Sequence, residues 1–141
     1  MKKVTPFLMF EKNAGEAMKF YVSIFKNAKI TSPGSFEIDG QEFLVYNGGP
    51  HFKFSEGVSL YINCENQKEV DELWEKLSAG GEKSMCGWVK DKYGVWWQVI
   101  PTALMKYLSD PDPEKSKRVM NAMLKMNKII IKDLETAYNQ K

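Results

Sequence analysis

Histidine and cysteine are scarce in this sequence, which has one histidine, His51, and two cysteines, Cys64 and Cys86, in 141 residues. So few cysteines do not suggest a secreted disulfide scaffold, and we expect two free, partly buried thiols. No histidine lies near Cys86 in the sequence to lower its pKa, so an inert thiol is expected there. His51 falls in a predicted loop, where we expect a solvated side chain rather than a ligand or a base.

An excess of charge of either sign is also missing, since 20 basic residues stand against 18 acidic ones and the net charge is +2. This balance gives no electrostatic case for a nucleic-acid partner or an anionic membrane. No apolar run approaches the roughly 20 residues that span a bilayer. The apolar stretch after Lys3 is broken at Glu11 and is too short for the core of a signal peptide. We therefore expect a cytoplasmic protein with no membrane partner.

What the sequence does contain is one order of elements, repeated. The first copy is predicted as a strand, a helix and three strands, at residues 4–10, 14–26, 28–31, 35–39 and 42–47. The second copy is predicted as a strand, a helix and two strands, at 58–64, 67–79, 83–90 and 95–100. Asn13 and Asn66 precede the two helices and are the predicted N-caps. The first strands of the two copies begin about 54 residues apart, so the pattern predicts two modules of one kind.

The most informative segment is Cys86–Pro101, which reads as two strands joined by a tight turn at Asp91–Gly94. Asp91 is expected to accept hydrogen bonds from turn amides rather than to act in catalysis. Trp96 and Trp97 are adjacent on a strand, so their side chains face opposite ways. We expect the other two tryptophans to belong to the core: Trp74 and Trp88.

The last 40 or so residues follow a different pattern. They predict three helices near 103–108, 113–126 and 132–139, with a methionine-rich apolar stripe on the second. We expect this extension to pack on its own domain or across a dimer. The predicted organisation is therefore a domain at 1–102, with modules at about 4–50 and 58–101, and a C-terminal helical extension at 103–141.

Several segments together carry a family resemblance: Val4–Phe10, Ala14–Tyr21, Asn47–Pro50, Val70–Leu77, Cys86–Gln98 and Met120–Met126. Over nearly the whole chain, the pattern is similar to the PhnB-like branch of the glyoxalase/bleomycin-resistance/extradiol-dioxygenase superfamily, also called vicinal oxygen chelate. The resemblance implies an α+β fold in which two βαβββ modules form curved mixed sheets around a cleft, and it implies a homodimer. The first module is short, so its second strand is expected to be stunted.

Members of this branch often carry the label 3-demethylubiquinone-9 3-methyltransferase. An S-adenosylmethionine enzyme of the usual kind needs a glycine-rich turn between a strand and a helix of a doubly wound sheet. This sequence has neither, so the label is disfavoured.

In the superfamily's metal enzymes, the resemblance implies that side chains of the first, fourth, fifth and eighth strands meet at one ion. The corresponding positions here are Thr5 or Phe7 in the first strand, Ser59 near the fifth and Gln98 in the eighth. None of these is a convincing metal ligand beside a carboxylate or an imidazole. We therefore expect no metal and no other cofactor.

Six residues fall on the strand faces that would line the cleft: Phe7, Met9, Tyr61, Asn63, Trp96 and Gln98. They either fill the core or form an apolar small-molecule site with a few polar groups. The leading hypothesis is a metal-free homodimer that binds a small apolar or aromatic ligand. Two alternatives stay open. One is a lyase, isomerase or dioxygenase-type enzyme with a displaced metal site, and the other is an interaction module that uses the methionine-rich extension.

Overall fold

The structure, a computed structural model, describes residues 2–140. The chain forms two compact units, Met1–Phe54 and Ser55–Lys141. Each unit contains one four-stranded mixed sheet, and the described residues form five helices in all. The predicted α+β fold of two βαβββ modules is confirmed. None of the helices within residues 2–140 has the length and apolar character needed to cross a membrane.

The first unit holds the first sheet and one helix. Its elements are β1 (Phe7–Phe10), α1 (Ala14–Ile24), β2 (Ala28–Ser32), β3 (Ser35–Ile38) and β4 (Gln41–Asn47). The strand order is β1-β4-β3-β2, with β1 parallel to β4 and the other pairs antiparallel. The hairpin predicted around Asp39-Gly40 is confirmed, and both residues have a positive φ.

The core of the first unit lies between α1 and one face of the first sheet. Leu8 and Phe10 of β1 and Phe43 and Val45 of β4 are buried on that face, and Tyr21 of α1 is fully buried against it. Phe36 and Phe43, partners in the β3–β4 register, stack with ring centroids 4.9 Å apart. Strand alternation therefore points the intervening residues of β1 and β4 away from α1.

The N-terminus of α1 is capped differently from the prediction. Asn13 occupies the N-cap position but makes no side-chain capping hydrogen bond. The Oδ1 atom of Asn47, at the end of β4, instead accepts from the Ala14 N–H at 2.8 Å. In the second unit the predicted cap is confirmed, because Asn66 Oδ1 accepts from the Glu69 N–H at 2.9 Å.

The second unit repeats the first and adds three helices. Its module consists of β5 (Leu60–Cys64), α2 (Gln67–Ser78), β6 (Glu82–Lys83), β7 (Trp88–Lys90) and β8 (Trp96–Pro101). The order of this second sheet is β5-β8-β7-β6, again with the first and last strands parallel. The stunted strand is β6, which has two residues, whereas β2 has five. The prediction of a stunted second strand in the first module was therefore wrong.

The strand predicted at 83–90 is interrupted by a turn. Cys86 and Gly87 both have a positive φ, at 59° and 83°, which is incompatible with a strand. Cys86 is therefore a turn residue rather than a strand residue. Glycine is needed at position 87, because an added Cβ would lie 2.8 Å from Ile100 Cδ1 and 3.1 Å from Ile129 Cγ1.

The turn at Asp91–Gly94 matches its prediction. Asp91 is 1% exposed, and its Oδ1 accepts from the N–H groups of Tyr93 and Val95 at 2.9 and 3.0 Å. Its Oδ2 also accepts from the indole N–H of Trp97 at 2.8 Å. One buried carboxylate therefore joins the turn to the core side of β8.

The extension forms α3 (Thr102–Leu108), α4 (Pro113–Met123) and α5 (Ile131–Asn139). It packs on Ile100, at the end of β8. The shared cluster is fully buried and contains Ile100, Leu104, Val119, Ile129 and Leu134. Backbone N–H groups of Cys86 and Gly87 donate to the carbonyls of Met126 and Asn127 at 2.8 and 2.7 Å.

The Gln67 side chain also holds the extension. Its amide donates to the Ile129 carbonyl at 3.0 Å and accepts from the Ile131 N–H at 2.7 Å. The extension is therefore a structural part of the second unit.

Candidate functional site

The face of the second sheet opposite α2 carries a cluster of aromatic and amide side chains. Trp97 and Val99 are buried on the α2 side of β8, so the alternate residues Trp96 and Gln98 point the other way. We call this second side the open face of the second sheet. Sheet register gives it a row that crosses three strands, in which Gln98 lies between Tyr61 and Trp88.

A second row lies beside the first on the same face. Trp96 of β8 is the register partner of Lys90 of β7, and the Lys90 Nζ lies 6.0 Å from the Trp96 ring centroid. Trp88 and Trp96 meet edge to face with centroids 6.2 Å apart. Since both tryptophans are only half-buried, this face keeps apolar aromatic surface that the unit's own core does not use.

A hydrogen bond and partial burial fix the polar groups on the open face. The amide Nε2 of Gln98 donates to the Ser59 Oγ at 2.9 Å, so Ser59 and Gln98 do meet in the folded chain. Burial is the main cause that raises the pKa of the Tyr61 phenol, and the nearby Cys64 contributes. The phenol therefore stays protonated at neutral pH and can donate a hydrogen bond.

The extension limits the open face at one end. Asn63 and Ile100 are register partners, and Asn63 is exposed while Ile100 is 3% exposed beneath the extension. Trp88 was predicted to lie in the core, and the structure shows that this was wrong, whereas Trp74, at 3% exposed, is confirmed there. The signal that could have corrected Trp88 is alternation, because its neighbour Val89 is fully buried and adjacent strand residues face opposite ways.

The first sheet has an open face of its own. Phe7, 53% exposed, is the register partner of Leu44, which in turn pairs with Ser35. Met9 pairs with Tyr46, which is 63% exposed. Phe7 and Met9 thus lie on the open face of the first sheet, and Tyr61, Asn63, Trp96 and Gln98 lie on that of the second.

Charge on the first open face is mainly acidic. Glu42 and Glu37 are register partners, and Lys29 pairs with Glu37 across β2 at 3.8 Å. The carboxylate oxygen Oε1 of Glu42 is buried and has no hydrogen-bond partner. This face therefore differs in charge from the second one, where Lys90 occupies the position of Glu37.

A metal ion does not fit the side chains at the strand positions that the superfamily uses. The register pairs there are Phe7 with Leu44 and Tyr61 with Gln98, which offer no carboxylate, imidazole or thiolate. Within residues 2–140, no three His, Cys, Asp or Glu side chains lie close enough to hold an ion. His51 is exposed in a loop.

The two thiols are free, as predicted. Burial is the main cause that raises the pKa of Cys64 to about 12, with Glu69 contributing. A thiol held in its protonated form is a poor nucleophile, so Cys64 is not a candidate for covalent chemistry.

A family model described as 3-demethylubiquinone-9 3-methyltransferase matches residues 2–35 and 31–100, which is most of the two modules. The chain belongs to this family. It is the PhnB-like branch of the glyoxalase superfamily, so the resemblance drawn from the sequence is confirmed.

Solved structures agree with the PhnB-like assignment. A PhnB protein of Bacillus cereus, whose name carries the same methyltransferase designation, is 36% identical with a TM-score of 0.63. The match covers 69% of this chain and 97% of that one. A protein of Pseudomonas aeruginosa, 19% identical with a TM-score of 0.56, shares the fold over 69% of this chain and 95% of its own. No curated protein matches the chain.

Two features of this PhnB-like chain stand out against these matches. The family model ends at residue 100, so α3, α4 and α5 lie beyond it. The strand-to-helix turns after β1 and β5 have the sequences Glu11-Lys12-Asn13 and Glu65-Asn66, with no glycine. A nucleotide-type turn needs glycines for the close approach of the backbone to the ligand, so these turns do not suit S-adenosylmethionine in the usual way.

Proposed function

We propose that this PhnB-like protein is a cytoplasmic, metal-free homodimer that binds a small apolar or aromatic ligand on the open faces of its sheets. The observation that carries this proposal is the row Tyr61–Gln98–Trp88 with Trp96 beside it. Small-molecule sites are mainly aromatic and apolar, with a few polar groups that fix orientation. Gln98, held by Ser59, is such a group. Phe7, Met9 and Asn63 are further candidates for ligand contact.

Ligand binding can be tested by thermal shift and calorimetry with small neutral aromatics such as cinnamamide and indole. We expect at least one of them to raise the Tm of the wild-type protein. Trp96→Ala should abolish that rise, because it removes the central aromatic surface of the second open face. Phe20→Ala removes a half-buried aromatic from α1, which lies on neither open face, and is the matched control. A wild-type Tm unmoved by every aromatic at millimolar concentration would refute the proposal.

Metal content separates this proposal from the enzyme alternative. Elemental analysis of untagged protein, before and after incubation with Zn²⁺, Ni²⁺, Mn²⁺ and Fe²⁺, should find no ion that survives desalting. A stoichiometric ion would instead favour a lyase, isomerase or dioxygenase-type enzyme with a displaced metal site. Light scattering would test the proposed dimer in the same samples.

The interaction-module alternative is favoured by one observation. The extension exposes three large apolar side chains, Met105, Met120 and Leu124, at 52%, 38% and 51%. Methionine adapts to varied partner surfaces, so these residues offer a docking surface. A monomer in light scattering would favour this alternative over the dimer. Methyltransfer is the weakest candidate for this chain, because neither strand-to-helix turn has the glycines that the usual cofactor needs.

A further inference from the structure

Three side chains on the second open face have hydrogen-bond donors to offer a ligand. Lys90 contributes an ammonium group beside Trp96, and Tyr61 contributes a phenol that stays protonated. Gln98 uses one amide N–H on Ser59 and keeps its second N–H. A ligand that complements these groups must therefore supply acceptors.

The charge on this face points in the same direction. Glu82, on the two-residue edge strand β6, is the register partner of Lys90. Among the described residues, no ion pair joins these two side chains. At the equivalent place in the first sheet, Lys29 and Glu37 do pair. The Lys90 ammonium is therefore available, next to an aromatic surface that is only half-buried.

We propose that the open face of the second sheet takes a planar aromatic carboxylate, with its ring against Trp88 and Trp96 and its carboxylate at Lys90. This inference rests on the proposed function, and it names the ligand class of the same site. A charge-assisted hydrogen bond between ammonium and carboxylate is roughly twice as strong as a neutral one. The ring of the ligand contributes buried apolar area, and its carboxylate contributes selectivity for anionic over neutral ligands.

Three probes with one carbon skeleton test the charge: cinnamate, cinnamamide and cinnamylamine, which are anionic, neutral and cationic at neutral pH. We expect calorimetry to show cinnamate binding about five- to tenfold tighter than cinnamamide at low salt, with cinnamylamine weakest. The preference for cinnamate should shrink as salt is raised, because part of it is electrostatic.

Matched variants test whether Lys90 is the cation that favours cinnamate. Lys90→Met should lower the affinity for cinnamate more than the affinity for cinnamamide, so that the two probes bind about equally. Lys76→Met removes an exposed charge from α2, on the other side of the second sheet, and should change neither. Glu82→Gln removes the one carboxylate in register with Lys90 and should strengthen cinnamate binding. This last variant gains affinity, so loss of folding cannot imitate it.

The outcomes distinguish this inference from the proposed function. Equal binding of cinnamate and cinnamamide, or tighter binding of cinnamylamine, would overturn the aromatic-carboxylate assignment and leave aromatic binding intact. A preference for cinnamate that survives Lys90→Met would also overturn it. Failure of all three probes, together with failure of the neutral aromatics above, would overturn the proposed function as well.

Discussion

On the first open face, Leu44 lies between Phe7 and Ser35, and on the second, Gln98 lies between Tyr61 and Trp88. The next row has Glu42 beside Glu37 in the first sheet. In the second, that row has Trp96 beside Lys90. Strand order and register are thus the same in both sheets, but the side chains on the two open faces differ.

The backbone of the two modules therefore sets positions, and the residues at those positions set chemistry. The first sheet offers Phe7, Met9, Leu44 and Tyr46 beside carboxylates. The second offers three aromatic rings, an amide and an available cation. Two modules with the same register and different face residues can therefore differ in the ligands that their faces suit.

The largest difference is expected at the two hairpin turns. Asp91→Ala leaves the N–H donors of Tyr93, Val95 and Trp97 without their acceptor, two of them buried, and should lower the free energy of unfolding by about 3–5 kcal/mol. Asp39→Ala, in the exposed turn of the first module, should cost only about 1 kcal/mol for its positive φ. Urea denaturation measures both. Equal losses of stability in the two variants would mean that the hydrogen bonds of Asp91 do not stabilise its turn beyond the backbone conformation.

A second difference is expected at two glycines with the same backbone role. The Gly34 and Gly87 carbonyls accept from Val45 and Val99 at 2.9 and 2.8 Å. Gly87→Ala should cost about 2–4 kcal/mol, because it combines a positive φ with close contacts to Ile100 and Ile129. An added Cβ at Gly34 meets only the Val45 carbonyl oxygen, at 3.5 Å.

We therefore expect Gly34→Ala to change stability by less than about 1 kcal/mol in either direction. Thermal denaturation of the two variants side by side provides the measurement. If Gly87→Ala is tolerated as well as Gly34→Ala, the extension does not pack on this turn as described.

High pH should act on the second module through Cys64. Its pKa is raised to about 12, mainly by burial, so the folded state keeps a proton that the unfolded state releases in the ordinary thiol range. Stability from this group is complete below that range and is lost as the pH rises toward about 12. The first module has Phe10 at the equivalent strand position, where nothing titrates.

The measurement is urea unfolding of wild type and Cys64→Val at neutral pH and at about pH 10. Wild type should lose more stability than the variant between the two conditions. If wild type and Cys64→Val lose the same stability, groups other than Cys64 cause the loss of stability at high pH.

The smallest effects concern the helix caps. Asn47→Ala and Asn66→Ala should each lower stability by about 1 kcal/mol, because each removes an acceptor from a helix N-terminus. Asn13→Ala should change it by less than about 0.5 kcal/mol, since Asn13 makes no capping bond. Chemical denaturation of the three variants decides the matter. A cost at Asn13 equal to that at Asn47 would contradict the capping seen here.

Local periodicity predicted most of the helices and strands, but it did not predict the contacts that join them. Val70, Leu73, Trp74 and Leu77 recur at helical spacing and are all buried, so α2 followed from its own sequence. The cap of α1 did not, because Asn47 lies 33 residues from Ala14 along the chain. A contact of that length depends on the parallel pairing of β1 and β4, which no local pattern encodes.

The candidate site was predicted only in part, because local patterns do not encode contacts between distant segments. Trp96 and Gln98 were placed on one face by alternation within a single strand. Alternation with Val89 turns Trp88 away from the core, but its place beside Gln98 depends on register across two strands, which no local pattern shows. The turn at Cys86 was missed because it is held by Met126 and Asn127 of the extension. Long-range packing overrode the strand propensity of the surrounding residues.

The burial of Ile100 beneath the extension has a consequence for synthesis on the ribosome. The last cluster residue that covers it is Leu134, and a ribosome needs about 2–7 s to add the residues between them. During that interval the end of β8 and the amides of the Cys86–Gly87 turn lack their final partners. We expect this interval to be when the nascent chain most needs a chaperone, well after its N-terminal half is able to fold.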